Sequence, residues 1–354
     1  MYHAILNRVL AGERLTSAEA LTLAQKASLL ELGWAADQVR RRLHPQQVLT
    51  FVIDRNINYT NVCVTGCKFC AFFRPPGHPD SYVLSRVEIW QKIRETLAQG
   101  GTQILMQGGL HPELGLDWFE DLFRAIKQDF PIILHSLSPV EIHYLARREN
   151  LPTGDVIKRL AAAGLDSIAG GGAEILVDRV RQHISPHKVS AQQWLAIMAE
   201  AHRQGLRSSA TMMFGHAETM ADRIAHLEAL RQVQDETGGF TAFIPWSFQP
   251  GNTALGGTPA SAQDYLHTLA LSRLYLDNIP NLQASWVTQG TKIAQIALAF
   301  GANDLGSTML EENVVRAAGT TYHTTMAEML AAIRDAGYIP VQRDNLYRTV
   351  KVFA

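Results

Sequence analysis

The sequence predicts an α/β fold, a (β/α)8 barrel of the TIM type with N-terminal helices and a C-terminal helix plus β-hairpin. Three observations carry this. From Val48 onward, short β-branched or apolar runs alternate with amphipathic stretches of helical period. The runs number eight, the count at which parallel strands close on themselves with their helices outside. The glycines and polar residues that interrupt the runs fall at their C-terminal ends, the rim where such a barrel keeps its working loops.

Helix comes first. In LTSAEALTLAQKASLLELG, Thr16 and Glu19 have the spacing of a capping box, in which each side chain accepts a hydrogen bond from the other's backbone N–H. Apolar residues then recur at helical spacing as far as Gly33, and two or three short helices fill residues 1–45. The strand candidates follow in order as VLTFVIDRNINYT, TQILMQGG, IILHSLS, SIAGGG, SSATMMFG, FTAFIPWSF, LQASWV and DLGST. Between them lies SRVEIWQKIRETLAQGG, where Ser85 and Glu88 form another capping box and Gly100 supplies the stop. The blocks LDWFEDLFRAIKQDF, AQQWLAIMAEAHRQG and MADRIAHLEALRQVQDETGG are of the same kind. At the end the rhythm changes: TTMAEMLAAIRDAG reads as helix, and YIPVQRDNLYRTVKVF as a hairpin turning at Arg343, Asp344 and Asn345. No linker or internal repeat divides the chain. A barrel is therefore expected over residues 46–310, with 1–45 and 311–354 packed on it as extensions.

Composition narrows the function. With 32 basic and 33 acidic residues there is no electrostatic footprint for nucleic acid or an anionic membrane, so a small-molecule partner is expected. No stretch reaches 18 uninterrupted apolar residues, and the first twenty mix charge into apolar positions, unlike a secretory signal. A cytoplasmic location is expected, where thiols stay reduced and free to bind metal.

All three cysteines of the 354-residue chain lie in NVCVTGCKFCAFFR. Cys63, Cys67 and Cys70 form C-x3-C-x2-C, directly after the first strand. Three is an odd number for a disulfide framework and one short of a structural zinc site. Three thiolates can hold three corners of a cubane iron–sulfur cluster and leave the fourth iron without a protein ligand, open for chemistry. The alternatives are a Cys3His zinc site completed by His78, or three ordinary buried thiols. The other strand ends bring Gly108, Gly109 and His111; His135, Ser136 and Ser138; Gly170, Gly171, Gly172 and Glu174; Gly215, His216 and Glu218; and Gln249 and Asn252 to the same rim.

The C-x3-C-x2-C loop, with Phe69 before its last cysteine and a barrel strand before its first, resembles the radical S-adenosylmethionine (SAM) superfamily. That resemblance implies two cofactors, a [4Fe–4S] cluster on Cys63, Cys67 and Cys70 and SAM on the open iron, whose reductive cleavage gives a 5′-deoxyadenosyl radical. It implies further that Phe69 lies near the adenine, that Gly108 and Gly109 meet the methionine amino group, and that Glu174 reaches ribose or methionine. Gly215 and Glu218 match the adenine-contact motif after the fifth strand. Leu110 stands where the family usually has an acidic residue.

Longer segments, among them NYTNVCVTGCKFCAFFR, AGLDSIAGGGAEILVDRVR and GANDLGSTMLEENVV, resemble enzymes of the futalosine route to menaquinone. GFTAFIPWSFQPGNT and QASWVTQG favour the cyclase branch over aminofutalosine synthase and the deazaflavin synthases. The implied substrate is dehypoxanthinyl futalosine, which loses the C4′ hydrogen of its ribose and closes onto its carboxyphenyl ring, with flavodoxin or ferredoxin as electron donor. Such a site must grip a carboxylate, hold sugar hydroxyls and accept a proton. Arg55, Arg74 and Arg179 are the candidates for the first task, Ser138, Gln249 and Asn252 for the second, and His135 or His216 for the third.

Overall fold

The computed structural model describes residues 2–354. All eight anticipated runs are strands. They are β1 (Val48–Val52) with β2 (Asp54–Ile57), β3 (Gln103–Met106), β4 (Ile133–Ser136), β5 (Ser167–Ile168), β6 (Arg207–Phe214), β7 (Phe240–Ser247), β8 (Asn281–Leu282) and β9 (Asp304–Ser307). β2 to β8 form one parallel sheet in sequence order. The ring is closed through β9. Gln283 bridges Asp304 in parallel sense, Ala284 N donates to Asp304 O at 2.9 Å, and β9 pairs with β1 in parallel.

β1 and β2 are two halves of one run that changes neighbours at Ile53. The first half lies between β9 and β10 (Ile339–Arg343), and the second pairs with β3. β10 turns back antiparallel into β11 (Thr349–Val352), so the terminal hairpin lies against the N-terminal end of the barrel. Three of its residues, Arg343, Asn345 and Tyr347, face up into the barrel lumen.

Local chemistry explains the helix starts. The Thr16/Glu19 and Ser85/Glu88 boxes are both made, and so are boxes at Ser28/Glu31, Ser190/Gln193, Thr219/Asp222 and Thr325/Glu328. Three helices, Tyr2–Ala11, Ser17–Lys26 and Leu29–Leu43, precede the barrel; the last packs on helix Ala262–Tyr275. Some connections hold two helices, such as Pro139–Glu149 and Thr153–Ala163 between β4 and β5. β5 and β8 are only two residues long: after Ile168 the chain enters the glycine triplet, with Gly172 at φ +78°, and after Ser285 it winds into helix Trp286–Gln289. Among the described residues no helix is long and apolar enough to cross a membrane.

The hairpin is fastened by a buried ion pair. Arg343 donates to both oxygens of Asp304 at 2.5 and 2.9 Å, and Asp304 also accepts from Thr50 Oγ1 and Gly306 N. Removing one charge would leave the other buried and uncompensated. Asp304→Asn is expected to lower the unfolding free energy in urea melts by about 3–5 kcal/mol, and adding Arg343→Leu to recover part of that loss.

Candidate active site

The barrel encloses a cavity of about 270 Å³, running from the hairpin up to the strand C-termini. Strand alternation decides what lines it. On β2, Asp54 and Asn56 face inward, so Arg55 faces out. On β6, Ser209 and Thr211 face in while Ala210, Met212 and Phe214 are buried among the core. Leu105, Ile244, Trp246, Met309 and Val315 supply an apolar wall; Gln107, Gln283 and Thr288 interrupt it with amide and hydroxyl groups.

The cysteine loop sits at the upper rim, directly after β2, and is tied on several sides. Cys63 N donates to Arg74 O at 2.9 Å and Arg74 N to Asn61 O at 2.8 Å. Lys68 N donates to Ile184 O, and Leu255 N to Lys68 O. The Arg74 guanidinium turns back on the loop it belongs to, donating to the carbonyls of Ala71 and Phe73 at 3.0 and 2.9 Å. Cys63 Sγ and Cys67 Sγ share Thr65 Oγ1, at 2.9 and 3.5 Å, and all three cysteines are unbridged. Burial pushes the Cys67 and Cys70 thiols up; the Lys188 ammonium works against this from the side.

Lys188 links the loop to Glu174. Its ammonium lies 3.0 Å from Glu174 Oε1 and 4.9 Å from the centre of the Phe69 ring. Glu174 is buried, lines the cavity and has one oxygen, Oε2, with no hydrogen-bond partner. Arg181 donates to the carbonyls of Gly172, Ala173 and Val189, and its Nη1 lies 3.6 Å from that oxygen as an ion-pair partner. Neither Lys188 nor Arg181 stood out in the sequence; each becomes significant only because the turn after β5 folds over it.

The Gly108–Gly109 pair follows β3. A Cβ at Gly109 would lie 2.1 Å from Val62 O, and one at Gly108 2.6 Å from the Tyr59 ring, so only glycine lets this turn pass beneath the cysteine loop. The turn is held by the buried Glu141, which accepts from Gly108 N at 3.2 Å, Tyr59 Oη at 2.8 Å and Ser138 Oγ at 2.8 Å. Ser138 thus serves the turn from a helix N-terminus, away from the lumen. The Ser138-x-x-Glu141 spacing was the legible signal for this residue.

The two histidines differ. His135 lines the cavity, with Nδ1 2.7 Å from Ser167 Oγ and Nε2 3.4 Å from Ser209 Oγ. Burial, with Arg343 nearby, lowers its pKa to about 4, so it is neutral at pH 7. His216 is enclosed in the turn after β6. Its Nε2 donates to Met213 O at 3.0 Å and its Nδ1 accepts from Ala217 N at 2.7 Å, which leaves neither nitrogen for a substrate. Glu218 closes the same turn on Gly215 N and His216 N at 2.6 and 3.0 Å. Burial opposes its charge, but the His216 ring, those N–H groups and Arg223 hold its carboxyl below the ordinary glutamate range.

The substrate candidates do not converge. Arg55 lies in the helix layer between Glu95 and Glu311, at 2.9 and 3.1 Å, because its strand position faces outward. Arg179 pairs with Asp222 at 2.6 Å and is largely exposed. The Gln249 amide is turned onto Ser247 O and Thr288 O, and Asn252 onto Ala317 O. Arg74 is the loop clasp already described. None of these lines the cavity.

Comparison with known proteins converges on one family. The Radical SAM superfamily model matches residues 57–230, and the CofH/MqnC C-terminal region model matches residues 237–353. The cyclic dehypoxanthine futalosine synthase of Halalkalibacterium halodurans is 47% identical over 99% of this chain and 95% of its own. The chain belongs to the radical SAM superfamily. The enzyme of the same name from Streptomyces coelicolor is also 47% identical, over 98% of this chain and 88% of its own. The aminodeoxyfutalosine synthase of Thermus thermophilus is 39% identical over 99% and 96%. The FeFe-hydrogenase maturase HydG from Carboxydothermus hydrogenoformans superposes with a TM-score of 0.77 at 17% identity, covering 98% of this chain and 80% of that one, a likeness of fold.

Radical SAM enzymes use a [4Fe–4S] cluster and SAM, and the residues present fit both. Three unbridged thiols share one pinned loop, a buried cation lies beside them to offset thiolate charge, and the buried Glu174 carboxylate, one oxygen of which accepts no hydrogen bond, lines the adjoining cavity. His78, the fourth ligand of the zinc alternative, is tied into its own turn, where its Nδ1 accepts from Asp80 N at 3.1 Å. Cys67→Ser is expected to lose most of the iron and sulfide after anaerobic reconstitution while the far-ultraviolet circular dichroism stays that of the parent, because the loop's backbone ties do not involve the sulfur.

Proposed function

We propose that this chain is a cyclic dehypoxanthine futalosine synthase, a radical SAM enzyme of the futalosine route to menaquinone. The observation that carries this is the 47% identity, over nearly the whole chain, to two enzymes of that name, against 39% to an aminodeoxyfutalosine synthase of equal coverage. In this reading residues 46–310 are the catalytic barrel, with 1–45 and 311–354 as its packed extensions. The chain works in the cytoplasm, with a flavodoxin or ferredoxin as electron source.

When bound, the cluster and SAM supply a 5′-deoxyadenosyl radical able to take a hydrogen atom from a C–H bond. Cys63, Cys67 and Cys70 would hold the cluster. Phe69, the Gly108–Gly109 turn and Glu174 border the space for SAM, with Gly215 and Glu218 shaping the turn after β6. The apolar wall of Leu105, Trp246, Met309 and Val315 accommodates a carboxyphenyl ring folded back on its sugar and keeps water from reactive carbon. His135, the histidine lining the cavity, is neutral at pH 7 and is the acceptor for the ring proton. A weak base suffices here, because losing that proton together with one electron restores aromaticity, the electron passing to a one-electron carrier such as the oxidised flavodoxin or ferredoxin. His216 has no part in this step, being enclosed in the turn after β6 and outside the cavity lining.

Anaerobic incubation of the reconstituted enzyme with reductant, SAM and dehypoxanthinyl futalosine is expected to give free 5′-deoxyadenosine and a product two hydrogens lighter than substrate by mass. An adenosyl-containing adduct formed from an enolpyruvyl benzoate instead would assign the aminodeoxyfutalosine synthase activity.

A further inference from the structure

The floor of the cavity is made by the C-terminal hairpin, which the sequence marked only as a closing ornament. Tyr347 sits there in left-handed backbone at φ +62°, costly for an aromatic residue. The conformation is held by its own turn: Asp344 accepts from Leu346 N and Arg348 N, and Tyr347 N donates to Asp344 O. It lays the ring under the Arg343 guanidinium, 3.9 Å from the ring centre, and turns the hydroxyl inward, where it is buried without a hydrogen-bond partner. Gln103, 4% exposed at the foot of β3, gives its amide N–H to Asp54 at 2.8 Å and leaves its carbonyl oxygen unpartnered. Both residues line the same cavity. A buried donor and a buried acceptor left open in one enclosed space are costly unless something occupies them.

We infer that this floor is a hydroxyl-binding site for the sugar end of the substrate, with Tyr347 and Gln103 as its direct contacts. The inference rests on the function proposed above and deepens it. Charge decides between the two polar ends of such a substrate. Arg343 is the one cation lining the cavity among the described residues, and both of its arms are taken by Asp304. A carboxylate placed here would meet the Gln103 Oε1 acceptor with no free cation to offset its charge, Arg343 being already neutralised by Asp304. A sugar hydroxyl can give its proton to Gln103 Oε1 and accept one from Tyr347, satisfying both open groups at once. The carboxyphenyl ring then belongs higher, against Trp246 and Met309. Asn345 supports the floor through Ser167, which it reaches at 2.9 Å and which also holds His135. The hairpin thereby becomes the element that selects for the sugar.

The test is equilibrium binding of dehypoxanthinyl futalosine and its 2-deoxy and 3-deoxy analogues to the reconstituted holoenzyme and to its Tyr347→Phe variant, which keeps the ring on Arg343. The parent ligand is expected to bind the variant about 3- to 10-fold more weakly, the loss of one hydrogen bond. At least one deoxy analogue should bind wild type and variant equally, since the partner hydroxyl is already missing. Equal binding of the parent ligand to both proteins would overturn the floor assignment and leave the proposed function standing. No binding of dehypoxanthinyl futalosine to the wild-type holoenzyme would overturn the proposed function and this inference together.

Discussion

Three thiols can serve one cluster only if the loop that carries them is held still, and the site depends on that restraint. The segment from Asn61 to Arg74 is tied to itself by the Cys63–Arg74 and Arg74–Asn61 backbone bonds, to the helix after β5 by Lys68 and Ile184, and to the loop after β7 by Leu255. Arg74 collects the carbonyls that would otherwise face inward without donors. From this fixed point the neighbouring turns follow. Gly109 passes so close to Val62 that no side chain fits, and Lys188 reaches across to Phe69 and Glu174. A lengthened or loosened loop would scatter the sulfurs and unseat both turns.

The barrel's closure shapes what lies below. Because β1 and β2 change partners at Ile53, the lower half of that run is free to pair with β10, and the hairpin can enter from beneath. The lumen it seals is almost free of unbalanced charge. Arg343 is matched by Asp304, and burial keeps His135 neutral and raises Asp54, so its carboxyl resists ionising there. A neutral chamber with apolar walls suits chemistry at carbon, where stray protons and water would divert the reaction.

Much of this was legible in the sequence because its signals were local. The eight runs and the capping boxes at Thr16 and Ser85 depend on near neighbours, and the cysteine spacing needed no fold to interpret. What escaped depends on side-chain direction. Arg55 and Asn56 are adjacent and polar, yet only Asn56 faces the lumen, and nothing short of the strand's register says which. Ser138 and His216 sit at strand ends as expected but are consumed by the turns they build. Gln103 lies on β3 and Tyr347 in the C-terminal hairpin, far apart in sequence, and the pairing of that hairpin with the first strand brings them to one floor.

The central claim, that Cys63, Cys67 and Cys70 hold a cluster with an iron open to SAM, is tested most directly by electron paramagnetic resonance of the anaerobically reconstituted, reduced protein with and without SAM. The account predicts about four irons and four sulfides per chain and a reduced-cluster signal whose g-values move when SAM is added. A protein that takes up zinc without sulfide, or a reduced cluster whose spectrum ignores SAM, would contradict it.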